Sequence, residues 1–365
     1  MKRIVIAAMM LCLLLTGCSS WMQGHYASVT PHMDKNQQIV EEITAVSNSQ
    51  QIRNALINII ESAAESRTLS VEDMGADVAE RHIKRAIEYT LENHPVAVYA
   101  VERIDYEIGI TGGVSAAVIT VHYNHNRAEI QRIRQVQGME RAKGLIYAAL
   151  DELEPRVVLQ ISNYVETDFA QLIEDYSLNQ PDEVMEVPMV SASVYPESGL
   201  VRVVELQFTY QNSRESLRQM QRYVQPRFTA ASLYVSGEEK EAVKFSRLYA
   251  FLMETTSYTV ETSITPAYSL LRHSVGDSRA FAMVYAAMCR KAGLNCQVVT
   301  GTKAGEPWFW NIICEDGQYY HVDLLRSSGN GAYQRLLDGE MEGYVWDYTA
   351  YPTCVLPEEI EEVAE

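Results

Sequence analysis

The sequence predicts an α+β protein: helix–strand–strand repeats fill the first two-thirds, and a helix followed by three strands fills the last third. Three observations carry this expectation. One stretch of residues recurs at a fixed spacing, and the recurring segments switch between helical and strand periodicity. A long apolar run after a glycine loop then precedes three strand-like runs. With 47% hydrophobic residues in a 365-residue chain, there is material for two or more cores.

The chain opens with Met1-Lys2-Arg3, an apolar run Ile4–Leu15, and Leu15-Thr16-Gly17-Cys18. Two positive charges before a short apolar run are the parts of a secretory signal. The run is shorter than the roughly 20 residues a helix needs to span a bilayer. Leu-Thr-Gly-Cys resembles a bacterial lipobox, which implies cleavage before Cys18 and lipid attachment to it. Residues 1–17 then form the signal peptide and residues 18–33 an aperiodic lipidated linker. Loss of Lys2 and Arg3 leaves 28 of the 30 basic residues against 48 acidic ones. That imbalance excludes nucleic acid and a basic face on anionic lipid. The expected partner is the membrane, through the lipid on Cys18.

The repeat comes next. Tyr123-Asn124-His125-Asn126-Arg127 and Ala128–Ile133 match Tyr210-Gln211-Asn212-Ser213-Arg214 and Glu215–Met220. Glu88-Tyr89 pairs with Asp175-Tyr176 in the same alignment. Residues 76–93 and 162–178 have helical spacing and stop near Pro95 and Pro181. Two extended stretches come after the helix in each copy: 96–108 and 115–123, then 187–195 and 200–210. In the last, Val204, Leu206 and Phe208 alternate with Val201, Val203, Glu205 and Gln207. The expected units span residues 34–145 and 146–240, and Ser49–Leu56 reads as part of a third copy. Such units cannot cover their own apolar faces and must pack on one another or on the C-terminal third. His122 and His125, near a strand end, read as surface or capping residues.

From residue 244 the pattern changes. Phe245–Thr255 reads as a helix, Val275-Gly276-Asp277 as a loop, Ser278–Lys291 as an apolar helix ending at Ala292-Gly293, and Asn295–Thr300, Trp308–Glu315 and Gln318–Leu325 as strands. The run Gly276-Asp277-Ser278-Arg279-Ala280-Phe281, with Trp308-Phe309-Trp310-Asn311 and Tyr320-His321-Val322-Asp323, resembles the transglutaminase-like superfamily over about residues 244–355. The resemblance implies a papain-like α+β domain, followed by an acidic tail at 356–365.

In that superfamily a cysteine opens the long helix, a histidine precedes the Ala-Trp-Asn strand and an aspartate sits on the next strand. The matching positions here are Ser278, Trp308 and Asp323, so only the aspartate remains. A serine hydroxyl needs a base, and an indole N–H has no lone pair to accept a proton. The resemblance therefore implies a degenerate domain that binds a cell-wall peptide, a glycan or an envelope protein, with no cofactor and no metal. Trp308, Trp310 and Tyr320 are the expected groove aromatics, although Trp310 matches a family residue and also reads as core. A second reading keeps an acyl hydrolase or transferase that uses Ser278 with His321 as base and Asp323. His273 and Cys289 are weaker alternatives, and Ser278 also reads as a helix cap. Cys289, Cys296, Cys314 and Cys354 lack CxxC spacing, so zinc is not expected, and their pairing is not readable from spacing. The layout implies the outer face of the cytoplasmic membrane, by analogy a Gram-positive surface.

Overall fold

The computed structural model describes residues 43–111, 113–235, 237, 240–326 and 333–356. The signal peptide, the linker and Cys18 lie outside the described residues. Among the described residues no helix is long and apolar enough to cross a membrane.

The first sheet holds β1 (Thr44–Ala45), β2 (Ser66–Ser70), β3 (Val101–Thr111) and β4 (Val114–Tyr123), in the order β1-β2-β4-β3. The pair β1–β2 is parallel and the other two pairs are antiparallel. The parallel pair needs a crossover, and helix α1 (Ser49–Glu61) provides it, capped by the Asn48 side chain. Ser49–Leu56 therefore belongs to this sheet and does not open a third unit. Helix α2 (Ala76–Asn93) comes next, as expected. The stretch read as extended from residue 96 instead begins with a short helix, α3 (Pro95–Ala100). Pro95 at its first turn presets φ and loses no hydrogen bond there.

After α4 (Arg127–Gln131), the second sheet repeats the plan with β5 (Arg134–Gln137), β6 (Arg156–Ser162), β7 (Met189–Tyr195) and β8 (Val201–Thr209). Its order is β5-β6-β8-β7, again with a parallel first pair and two antiparallel ones. Helix α5 (Met139–Asp151) crosses from β5 to β6, so the boundary expected at 145/146 falls inside a helix. Residues 156–162 form a strand, since Val157, Leu159 and Ile161 alternate inward. Helix α6 (Phe169–Asn179) begins only after the Asp168 cap. The alternation in β8 uses both faces. Val204, Leu206 and Phe208 pack under α5 and α6, while Val203 enters the core of the first sheet.

The C-terminal part comprises α7 (Arg214–Tyr234), α8 (Glu241–Thr255), β9 (Ser257–Tyr258), α9 (Pro266–His273), β10 (Val275–Gly276) and α10 (Ser278–Lys291). Then come β11 (Asn295–Lys303), β12 (Glu306–Glu315), β13 (Gln318–Val322) and β14 (Tyr344–Trp346), ordered β13-β12-β11-β14. Helix α10 is buried along most of its length and packs with α7, α8 and one sheet face through Phe228, Phe245, Leu248, Phe281 and Tyr285. Gly301, on β11, has no room for a side chain: a Cβ there would lie 2.3 Å from the Val345 carbonyl and 2.7 Å from the Trp310 ring.

The second sheet is clamped to α10. The Asp182 side chain, 1% exposed, pairs with Arg290 and with Lys291 at 2.7 Å. Asn179 accepts from the Val298 N–H through Oδ1 (3.0 Å) and from Arg290 through its carbonyl. Removing a buried carboxylate strands the charges it faces. Asp182→Asn is expected to lower stability by up to about 3 kcal/mol, the low end for a broken buried pair, because both cations keep some solvent. Urea denaturation checks this, and no loss beyond error counts against the clamp.

Candidate functional site

The site forms where the starts of α10 and β12 meet the turn after β13. Asp277, in extended conformation, caps α10 by accepting from the Ala280 N–H at 2.9 Å. Ser278 is therefore the first helical residue and not the cap. Its hydroxyl accepts from the Phe309 N–H at 3.3 Å. No imidazole or carboxylate hydrogen-bonds to it among the described residues.

Asp323 is 4% exposed. Its Oδ2 accepts from Trp308 Nε1 (3.1 Å), Lys303 Nζ (2.9 Å) and the Tyr344 hydroxyl (2.5 Å). Its Oδ1 accepts from the Leu325 N–H at 3.0 Å. The indole thus makes toward Asp323 the contact an imidazole N–H makes in a Cys-His-Asp arrangement. The Lys303 ammonium also lies 4.7 Å from the Trp308 ring centroid and 5.0 Å from that of Tyr344. Burial, then Asp323, push the Tyr344 hydroxyl well above its ordinary range, so it stays a donor. Tyr258 lies 5.9 Å from Trp308, ring to ring, on the strand that pairs with Val275–Gly276 just ahead of Ser278.

Residues 229–356 match the transglutaminase-like superfamily. This segment is a transglutaminase-like domain. It starts within α7, ahead of the boundary expected at 244, where Ala231 and Val235 share one core with Phe245 and Phe281. No curated protein matches the chain. Solved structures similar to it include a TGase, at 12% identity over 55% of this chain and 56% of that one, with a TM-score of 0.27. Another is the periplasmic domain of TgpA from Pseudomonas aeruginosa, at 17% identity over 36% and 57%, with a TM-score of 0.23. The chain thus spans little more than half of each.

His321 does not serve Ser278. It is fully buried on the sheet face that packs Val299, Trp310, Ile312 and Trp346, whereas α10 covers the opposite face through Phe309, Asn311 and Ile313. Trp310 Nε1 donates to its Nδ1 (2.9 Å), and its Nε2 meets Asp338 Oδ1 at 2.8 Å. An indole only donates, so Nδ1 carries no proton and Nε2–H points at Asp338. This tautomer also bears on the cluster of His321, Asp338 and Cys354, whose ligand atoms lie within 4.8 Å of one another. Coordination through Nε2 would need the proton on Nδ1, against the Trp310 N–H. Burial, then Asp338, raise the Cys354 thiol to about 12, which disfavours the thiolate a metal requires.

The expected groove aromatics do not form one floor. Trp308 borders Asp323, Trp310 is fully buried, and Tyr320 faces the α10 side, beneath Arg335. His273 lines a polar cavity of about 180 Å³ with Glu261, Ser269 and Asp277, beside the glycine loop. A larger cavity, about 500 Å³ and lined by Arg132, Arg134 and Arg156, lies in the N-terminal part, away from this chemistry. His122 pairs with Asp105 at 2.9 Å and His125 stacks on Tyr99 at 4.3 Å, both within the N-terminal part. Cys289 is buried at the far end of α10. Sequence reasoning gave Lys303, Tyr344 and Asp338 no role at the site.

Burial holds the His321 imidazole below its ordinary 6.5, more strongly than Asp338 raises it. The unfolded chain therefore takes up this proton first as pH falls, and the folded chain loses stability below about 6.5. His94, also lowered mainly by burial, acts in the same sense. Melting temperature is expected to fall from pH 6.5 to 5, and His321→Gln to flatten part of that slope. An unchanged slope in the variant rejects His321 as a source.

Proposed function

We propose that this chain is a lipid-anchored extracytoplasmic protein whose transglutaminase-like domain binds and does not catalyse. One observation carries the reading: the base position holds Trp308, whose N–H is committed to Asp323. Ser278 has the helix N-terminus behind it but nothing to take its proton, and a dipole alone does not ionise an alcohol. Each group around Asp323 donates, so the constellation is a closed polar network.

In this reading the N-terminal sheets are two copies of one unit. Their shared strand order and the matched Tyr123 and Tyr210 segments support that. They act as a spacer and contact scaffold that carries the domain away from the lipid on Cys18. The ligand is a peptide, a glycan or an envelope protein held near Trp308 and Tyr258, the accessible aromatics at the old active site. The surplus of acidic residues makes an anionic polymer the poorer ligand.

A serine-directed fluorophosphonate is expected to leave Ser278 unlabelled in the full-length protein. Labelling that disappears in Ser278→Ala would restore the hydrolase reading. Ser278→Cys combined with Trp308→His is expected to react with iodoacetamide at neutral pH about tenfold faster than Ser278→Cys alone, since an adjacent imidazole lowers a thiol pKa. Equal rates would mean that the two positions do not face each other. Separately, Cys18→Ser is expected to move the protein from the membrane to the soluble fraction in cell fractionation. A variant that stays membrane-bound rejects the lipid anchor.

A further inference from the structure

The four described cysteines are free thiols, and two of them meet. Cys289 lies near the end of α10 and Cys296 is the second residue of β11. Between them the helix stops: Gly293 takes φ +75° and the Leu294 N–H bonds back to the Cys289 carbonyl at 2.9 Å. That turn brings Cys296, opposite Ile313 on the strand pair, onto the sheet face that α10 covers, and both side chains pack in one apolar cluster. Cys289 is fully buried and Cys296 half-buried. Neither of the other two thiols competes. Cys314 lies on β12 across from Asn295, and Cys354 lies beside Asp338 and the Pro352 carbonyl.

We infer that Cys289 and Cys296 are a disulfide-forming pair that staples the α10–β11 turn when the domain meets a disulfide-bearing oxidant. The chemistry is thiol–disulfide exchange. The Cys296 thiolate attacks one sulfur of a small-molecule disulfide and expels the other as a thiol, leaving a mixed disulfide on Cys296. Cys289 then loses its proton and attacks Cys296, which releases the second small-molecule thiol. Two protein thiols are oxidised and one small-molecule disulfide is reduced to two thiols, so electrons and protons balance. The order is set by access, because only Cys296 faces solvent. Burial also raises the Cys289 thiol, which makes it the resolving partner.

The stapled segment contains Arg290 and Lys291, the two cations that hold Asp182, so the bond fixes the turn that presents the clamp. Occurrence of the bond in cells rests on the proposed extracytoplasmic placement, since reducing compartments keep such pairs open.

The test incubates the full-length protein in detergent with oxidised glutathione at about pH 8, where thiolate forms. It is then quenched with N-ethylmaleimide and digested with trypsin without reduction. The expected product joins Ala280–Arg290 to Ala292–Lys303, is absent in Cys289→Ser and in Cys296→Ser, and disappears on reduction. The oxidised protein is expected to melt several degrees above the reduced one. Full alkylation of both thiols after prolonged oxidation overturns the inference, as does linkage to Cys314 or Cys354 instead. A parallel sample alkylates intact cells before lysis. A link formed in vitro but missing from cells upholds the pair and counts against the extracytoplasmic placement. A link found in both upholds both.

Discussion

A carboxylate taken out of water must be surrounded by donors and by at least one positive charge, or it does not stay ionised there. Asp323 has such a shell of donors. Trp308 is the ring donor, Tyr344 adds a hydroxyl from the returning chain, and Lys303 brings the charge from the end of β11. These contacts tie together the start of β12, the end of β11 and the segment carrying β14. The contacts around Asp323 form a structural knot. Its stability depends on donors, and every donor in it is a group that does not accept a proton.

A second polar assembly lies on the same face of β12. Trp310, His321 and Asp338 form a chain in which a donor-only indole dictates where the imidazole proton sits. The His321 backbone also pairs with Leu336, so the side-chain chain and the backbone bridge hold the returning segment at the same point. The two tryptophans on this face of β12 therefore act alike: each directs an N–H at a polar partner and fills space beside it. Both contribute packing and a hydrogen bond to the fold.

Much of this was legible in the sequence, and the misses have physical causes. Helix α10 keeps the expected bounds because its apolar run, its stop at Gly293 and its start at Asp277 agree. The expectation of replacements at 278 and 308 rests on a motif with fixed spacing and needs no coordinates. The strands β1 and β5 were missed because two and four residues are too few to show a period of two. Pro95 read as a stop because proline ends helices, yet it also begins them, and α3 uses it that way. Lys303, Tyr344 and Asp338 meet their partners 20, 21 and 17 residues away along the chain. Only the folded sheet brings those segments together.

Helix α10 spans 14 residues, about 21 Å at 1.5 Å per residue. Its first residue is Ser278, and its last two hold Asp182 in the turn between α6 and β7. Close packing along most of its length gives the helix little freedom to bend, so it behaves as a rigid strut. A small tilt imposed at the clamp therefore reappears as a displacement at Ser278 and the Phe309 backbone it meets. The N-terminal sheets and the Asp323 network are in this sense joined through one helix, and a displacement at one of its ends reaches the other.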